Sequence, residues 1–354
     1  ALSIDSFAHL VKDRPSITLG ELPASSRELV AVGEGGRHAA EVVIPCVRAA
    51  PPAAVETTIA RSYVAPRSFA PGSEWLYAKL YCGAANVDRV LETIAPIVAP
   101  PPAWFFLRYG DPEWHLRLRL RGDPAWLLRD VMPALGRTMQ TLIEDGRIWK
   151  GQFDTYEREV ERYGGDVGVA LAEQLFHSDS ACVVEVLAML DGDAGERVRW
   201  QLAARGLDRL LDDFELSLVE RLALLREIRD SFAKEHHADA MMHRELGTKY
   251  RKESRELDAL LAAPDDNGEL APAFARIAAR SSANRSLARE LRDAEERGSL
   301  TLPIRALLPS YMHMHVNRMM RSAQRANELV LYDLLARVYE SRLARATRPR
   351  RQKS

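Results

Sequence analysis

The chain is short of the residues that signal the commonest site chemistries. Cys46, Cys82 and Cys182 are its three cysteines in 354 residues; they stand far apart and form no CxxC pair. That excludes a disulfide framework and a cysteine-built zinc site, and it fits small core residues in a reducing, cytoplasmic compartment. No apolar run approaches the roughly 18 residues that a membrane helix needs, so no membrane span is expected. An excess of one charge is also missing, because 49 Lys and Arg balance 50 Asp and Glu. Bulk attraction to nucleic acid has no basis here, and direct nucleic-acid binding is not expected. No GxGxxG fingerprint, phosphate loop or GxSxG elbow occurs, so neither a nucleotide cofactor nor a hydrolase nucleophile is indicated. The opening ALSIDSFAHLVKDRP lacks the regions of a signal peptide and an initiator methionine, as a processed chain or an excised piece would.

What is present is concentrated between Trp104 and Arg162. WFFLRYGDPEWHLRLRLR (104–121) reads as two strands around a Gly110-Asp111-Pro112 turn. In the second strand Leu116, Leu118 and Leu120 face one way, and His115, Arg117, Arg119 and Arg121 face the other. A solvated strand face usually mixes signs. A row of arginines with a histidine points to an anion site, with a charged sheet surface as the plain alternative.

The surrounding pattern gives the fold class. Trp75 to Cys82 alternates, with Trp75, Tyr77, Lys79 and Tyr81 on one face. Val87 to Val98 has helical spacing, with Val90, Ile94 and Ile97 inward. Asp123-Pro124 opens a helix to about Asp145, with Leu127, Leu128, Met132, Leu135, Met139 and Leu142 inward. Arg147 to Tyr156 is a fourth strand. Strand, helix, strand, strand, helix, strand is the ferredoxin-like order. The class is therefore α+β, an antiparallel βαββαβ sheet covered by a C-terminal helical bundle. Residues 1–72 read as a linker or the remnant of a preceding domain, with an edge strand at EVVIPCVR (41–48) broken by Pro45. Residues 73–165 form the sheet region, 166–344 the helices expected to enclose its cationic face, and 345–354 a basic disordered tail. The open face would carry Lys79 and Tyr81 beside His115, Arg117 and Arg119.

One late helix adds a candidate. In SYMHMHVNRMM (310–320), His313, Asn317 and Met320 share a face while His315 points elsewhere. Histidine is the usual general base near neutral pH, and a core histidine bonded to a carbonyl is the plain alternative. His236, His237, Asp239 and His243 do not make a metal set, because only Asp239 and His243 have ligand spacing. His177-Ser178-Asp179-Ser180 holds triad residue types, but neighbours in sequence cannot form a relay. No metal and no cofactor is expected.

Four segments in order, FFLRYGDPEWHLRLR, DTYEREVERYGG, HSDS and YMHMHVNRM, resemble the C-terminal domain of the lantibiotic dehydratases, which also occurs in thiopeptide biosynthesis. The likeness runs from about Ser73 to about Met320, and EVVIPCVR resembles the segment before this domain in longer dehydratases. The resemblance implies a lyase, a dehydratase component that removes glutamate from glutamylated Ser or Thr of a ribosomally made precursor peptide. The products are dehydroalanine or dehydrobutyrine. A glutamyl-tRNA-dependent glutamylation domain or subunit is the implied partner, and a homo-oligomer is compatible with it. By motif, Arg117, Arg119, Glu159, Arg162 and His313 are the implied catalytic set. His313 is the base with His315 as fallback, and Glu159 orients an arginine. Lys79, Tyr81, His115 and Asn317 are the expected substrate-binding residues. Two rivals stand beside elimination: a formal [4+2] cycloaddition that builds a pyridine core, and a non-catalytic peptide-docking module.

Overall fold

The computed structural model describes residues 31–33, 36–38, 65–98, 103–111, 113–190, 192–235, 240–266 and 268–347. The chain divides into two compact units, Ala1–Ser62 and Tyr63–Ser354. In the first, β1 (Ala31–Gly33) pairs with β2 (Gly36–His38) in an antiparallel ribbon. The strand expected at 41–48 lies outside the described residues. The second unit begins at Tyr63. Within it β3 (Ser68–Phe69) is already present, with Phe69 buried.

The second unit is α+β. Its main sheet has four antiparallel strands in the order β5-β6-β4-β7, namely Ala103–Tyr109, His115–Arg121, Trp75–Tyr81 and Lys150–Asp154. The register pairs Ala78 with Leu118, and Leu118 with Phe106, so one face is continuously apolar. On that face lie α1 (Val87–Val98) and α2 (Met132–Glu144). Asp88 of α1 meets Arg108 there at 2.8 Å, and Met139 of α2 crowds Gly151 of β7. Asp123 caps the approach to α2 by accepting from Trp126 N–H at 2.9 Å, and Pro124 follows at the first helical position. A π-helical turn at Leu127–Val131 comes before Pro133. Proline offers no N–H and crowds the preceding turn, and the widened turn accommodates it. The extra residue per turn changes the phase. Leu127 and Val131 therefore point inward, and Leu128, expected in the core, is 44% exposed.

Two other expectations differ. Arg147 and Ile148 do not join the fourth strand; both N–H groups return to the carbonyl of Leu142 and close α2. The strand also ends at Asp154, whose side chain accepts from Thr155 N–H at 2.7 Å. The chain then turns, and β8 (Tyr156–Glu157) pairs with β3 in a separate ribbon.

Among the described residues seven helices follow: α3 (Gly165–Leu187), α4 (Gly192–Asp213), α5 (Leu218–Glu235), α6 (Ala240–Ala262), α7 (Ala271–Glu296), α8 (Ile304–Met319) and α9 (Gln324–Ala346). Gly247 lies inside α6. Between α8 and α9 the chain turns at Ala323, whose φ is +49°.

These helices do not lie flat over the cationic face. They meet the sheet at its edge, where α3 and α8 run along β5. An edge strand leaves every second main-chain N–H and C=O unpaired, and burial requires that they be met. Side chains meet them. His177 sits against the main chain of Trp104, and Ser180 Oγ accepts from Phe106 N–H at 3.2 Å. Arg318 Nε donates to Phe106 O at 2.9 Å. Asn317 imitates a neighbouring strand by accepting from Arg108 N–H and donating to Arg108 O, both at 2.8 Å. The cationic face gets a partial cover from the segment after β7. Tyr156 packs edge-on against Trp75 at 4.9 Å between centroids, and Phe176 of α3 lies 5.4 Å from Phe105. Toward β7 this face stays open.

Asn317→Ala removes both bonds to Arg108 and leaves a buried donor and acceptor unmet. Denaturant unfolding should show a loss of about 2–4 kcal/mol, since each stranded group costs about 1–3 kcal/mol. Leu128→Ala, on the exposed side of the π turn, should change stability by less than about 0.5 kcal/mol.

Candidate active site

Two adjoining cavities lie on the cationic face. The inner one, of about 90 Å³, is lined by Arg117, Arg119, Glu159, Arg162, His313 and Asn317 among others. The outer one, of about 550 Å³, shares Arg117, Arg119, Glu159 and Arg162 with it and adds Lys79 and Asp154. Residues far apart in the chain thus surround one space. The sheet brings Arg117 and Arg119, the turn after β8 brings Glu159 and Arg162, and α8 brings His313.

Each cation is held differently. Arg119 spreads its guanidinium over the Tyr156 ring at 4.3 Å, with Tyr77 at 5.1 Å and Phe105 at 5.4 Å. Its Nε is buried without a hydrogen-bond partner. Arg117 lies 3.4 Å from the centroid of Tyr109 and donates from Nε to His115 Nε2 at 3.0 Å. Arg162 pairs with Glu159 at 2.9 Å, and its Nε reaches Ser310 at 3.4 Å. The Glu159–Arg162 segment is a turn rather than a helix. Lys79 is taken by Asp154 at 2.5 Å and Arg67 by Glu161. Among the described residues, Arg117 and Arg119 have no ion-pair partner. Aromatic faces and a neutral histidine hold them in place with their charge uncompensated.

His115 does not line either cavity. It is buried, its Nδ1 donates to Glu113 O at 2.7 Å, and its Nε2 accepts from Arg117. Burial first, and then the charges of Arg117 and Lys79, hold this ring below the usual histidine range and so neutral, against the pull of the bond to Glu113. Tyr81 also stays off the cavities, its ring tilted against His115 at 4.8 Å between centroids and its hydroxyl on Gln152. Asn317 lines the inner cavity but has both ends of its amide committed to Arg108.

The two histidines of the late helix separate cleanly. His313 is 24% exposed and its Nδ1 lies 2.7 Å from Glu328 Oε1. His315 faces the protein interior, where its Nδ1 meets Asp179 at 2.7 Å and its ring fills the notch at Gly206. Asp179 also takes Arg280 at 2.8 Å and Arg318 at 2.9 Å. Burial would push its carboxyl up, but these donors hold it far below the usual carboxylate range. His315 is therefore part of a buried ionic joint.

Pattern alone did not single out Tyr109, Tyr156, Tyr163, Glu157 and Glu328. Tyr156 is fixed by Glu173, which accepts from its hydroxyl at 2.8 Å and takes Arg158 in a fork at 2.6 and 2.7 Å. Burial pushes the Tyr163 phenol up to about 12, so this cavity wall stays protonated at neutral pH. Among the described residues no three His, Cys, Asp or Glu side chains converge as a metal ion requires. His236, His237 and Asp239 lie outside the described residues. No helix of the described residues is long and apolar enough to cross a membrane.

A family model described as "Lantibiotic biosynthesis dehydratase C-term" matches residues 75–339. Subtilin biosynthesis protein SpaB of Bacillus subtilis is 30% identical over 241 residues, 64% of this chain and 23% of SpaB. Nisin biosynthesis protein NisB of Lactococcus lactis subsp. lactis is 32% identical over 169 residues, 45% of this chain and 16% of NisB. The matches thus span less than a quarter of either relative. Among solved structures, the tRNA-dependent lantibiotic dehydratase MibB from Microbispora sp. 107891 superposes on 80% of this chain and 29% of its own, with a TM-score of 0.61 at 23% identity. Pyridine synthase TbtD, from thiomuracin biosynthesis, superposes on 76% of this chain and all of its own, with a TM-score of 0.53 at 19% identity. At these identities the structural likenesses are of fold. With the family model matched across the sheet and nearly all the helices, the chain belongs to the lantibiotic biosynthesis dehydratase C-terminal family.

Proposed function

We propose that the inner cavity is an elimination site acting on glutamylated Ser or Thr of a ribosomally made precursor peptide. The observation that carries this reading is the pair Arg117 and Arg119, two half-buried guanidiniums without a carboxylate, in one cavity with His313. Among the described residues, the fully buried arginines have acidic partners, as Arg108 and Arg199 have in Asp88, and Arg280 and Arg318 in Asp179. A cavity that leaves two unpaired is suited to an anionic substrate.

In this reading His313 takes the α-proton. The electron pair moves into the new Cα–Cβ double bond, the Cβ–O bond breaks, and glutamate leaves as its carboxylate. Arg117 and Arg119 stabilise the charge that develops on the enolate and on the departing carboxylate. Glu159 holds Arg162 at the cavity wall. His115 acts through Arg117, and Lys79 at the outer cavity meets the peptide rather than the reacting atoms. The glutamyl group would be supplied by a glutamyl-tRNA-dependent domain or subunit. A cycloaddition between dehydroalanines releases no glutamate carboxylate for two uncompensated guanidiniums to meet, and the likeness to a pyridine synthase is of fold alone. The strand order, with α1 and α2 on one face, supports a ferredoxin-like reading of the sheet.

Incubated with a peptide carrying O-glutamyl serine, the chain should release free glutamate and leave dehydroalanine, seen by mass spectrometry. An unchanged peptide mass would overturn the reading. Arg119→Ala and Arg117→Ala should each slow release by roughly 10²–10³, as loss of one charge-stabilising donor does, with glutamylated peptide accumulating.

His313→Ala should abolish release with peptide binding retained. Base and guanidiniums act on the same proton, so Arg119→Ala combined with His313→Ala should cost little more than His313→Ala alone. Losses that simply multiply would make His313 a packing residue.

A further inference from the structure

We propose that Glu328 is the positioning residue of the general base, fixing the His313 imidazole in the tautomer that presents a bare Nε2 to the cavity. The inference deepens the elimination reading and rests on it. Glu328 lies near the start of α9, on a helix that reaches neither cavity. It is fully buried, in a stretch where Leu329, Leu331 and Tyr332 are buried as well. A carboxylate in such a place is costly unless every lone pair is used. Its two oxygens are divided. Oε1 faces His313 Nδ1 at 2.7 Å, while Oε2 takes Arg325 at 3.3 Å and the Tyr332 hydroxyl at 3.5 Å.

The division decides the proton's place. A carboxylate only accepts, so the ring nitrogen against Oε1 carries the hydrogen. His313 is then protonated at Nδ1, and the lone pair needed to remove the α-proton sits on Nε2. Without Glu328 the ring could rotate or exchange tautomers, and Nε2–H would face the substrate as a donor. The Glu328 charge also acts on Arg162, so one buried anion supports both the base and a cavity cation. A carboxylate behind a working imidazole recurs in triads and behind metal-bound histidines, where it performs the same orientation.

Glu328→Gln tests this without changing volume. Arg325 and Tyr332 both donate to the Oε2 side, so the amide carbonyl turns toward them and its NH₂ faces His313. Nδ1 must then accept, and the proton moves to Nε2. Nitrogen-15 NMR of the histidine-labelled chain, with His313 assigned by its absence in His313→Ala, should show an Nδ1–H imidazole in the wild type and an Nε2–H imidazole in Glu328→Gln. Elimination from the O-glutamyl serine peptide should fall roughly 10²- to 10⁴-fold in Glu328→Gln. In the His313→Ala background the same change should have no further effect. A wild-type Nε2–H tautomer, or a Glu328→Gln chain with wild-type turnover, overturns the proposal. If His313→Ala is inactive while Glu328→Gln is unaffected, only the positioning role falls and the elimination reading stands. If His313→Ala itself turns over normally, the assigned base is wrong and Glu328 has nothing to position.

Discussion

The fold depends on how the open edge of β5 is satisfied. A buried edge strand must find partners for its outward N–H and C=O groups, and among the described residues no fifth strand is paired with this one. The partners are His177 and Ser180 of α3, and Asn317 and Arg318 of α8. Arg318 is itself held by Asp179, which also binds Arg280 of α7 and His315. A chain of side-chain bonds therefore runs from the sheet edge through α3 and α8 to α7. It joins the sheet and the helical layer in one orientation, and it sets where α8 lies against the cationic row.

The arginines divide into two populations by what stands beside them. Asp88 gathers Arg108, Arg199 and Arg321, and those charges hold its carboxyl at about 2 against the cost of its burial. Glu173 takes Arg158, and Asp179 takes Arg280 and Arg318. These clusters join elements. Arg117 and Arg119 instead rest on the rings of Tyr109, Tyr156, Tyr77 and Phe105. An aromatic face restrains a guanidinium and shields it from water without neutralising it. That treatment keeps a cation available to a ligand, and it explains why so much aromatic surface is gathered on one face of the sheet.

Much of this is legible in the sequence, and the reason is periodicity. HLRLRLR alternates without a fault, so spacing alone assigns its two faces, and register pairing carries the assignment across β4 and β5. The spacing of His313 and Asn317 puts them on one helix face, and both line the inner cavity. What periodicity does not encode is where one layer meets another. The docking of α3 and α8 on an edge rather than a face rests on single polar residues, His177, Ser180 and Asn317, whose partners are main-chain atoms more than seventy positions away. Leu128 departs from expectation because a π turn shifts the phase of the helix by one residue. Glu328 is invisible for a third reason. It lies 15 residues beyond His313, on a helix whose direction relative to α8 is set by the left-handed Ala323 between them.

The same edge contact that holds the fold also places His313. Asn317 and His313 are four positions apart on α8, one turn and one face. Asn317 is locked to the main chain of Arg108 by two bonds of 2.8 Å, so it cannot turn without breaking both. A slip of one residue along α8 would rotate every side chain by about 100° and shift it by about 1.5 Å. Such a slip would carry His313 off the cavity and break the joint of His315 with Asp179. The position of His313 is thus fixed twice, by Asn317 along the helix and by Glu328 behind the ring. On the elimination reading proposed above, His313 needs both constraints, since along-helix register sets its distance from the cavity cations and the buried carboxylate sets which nitrogen is presented.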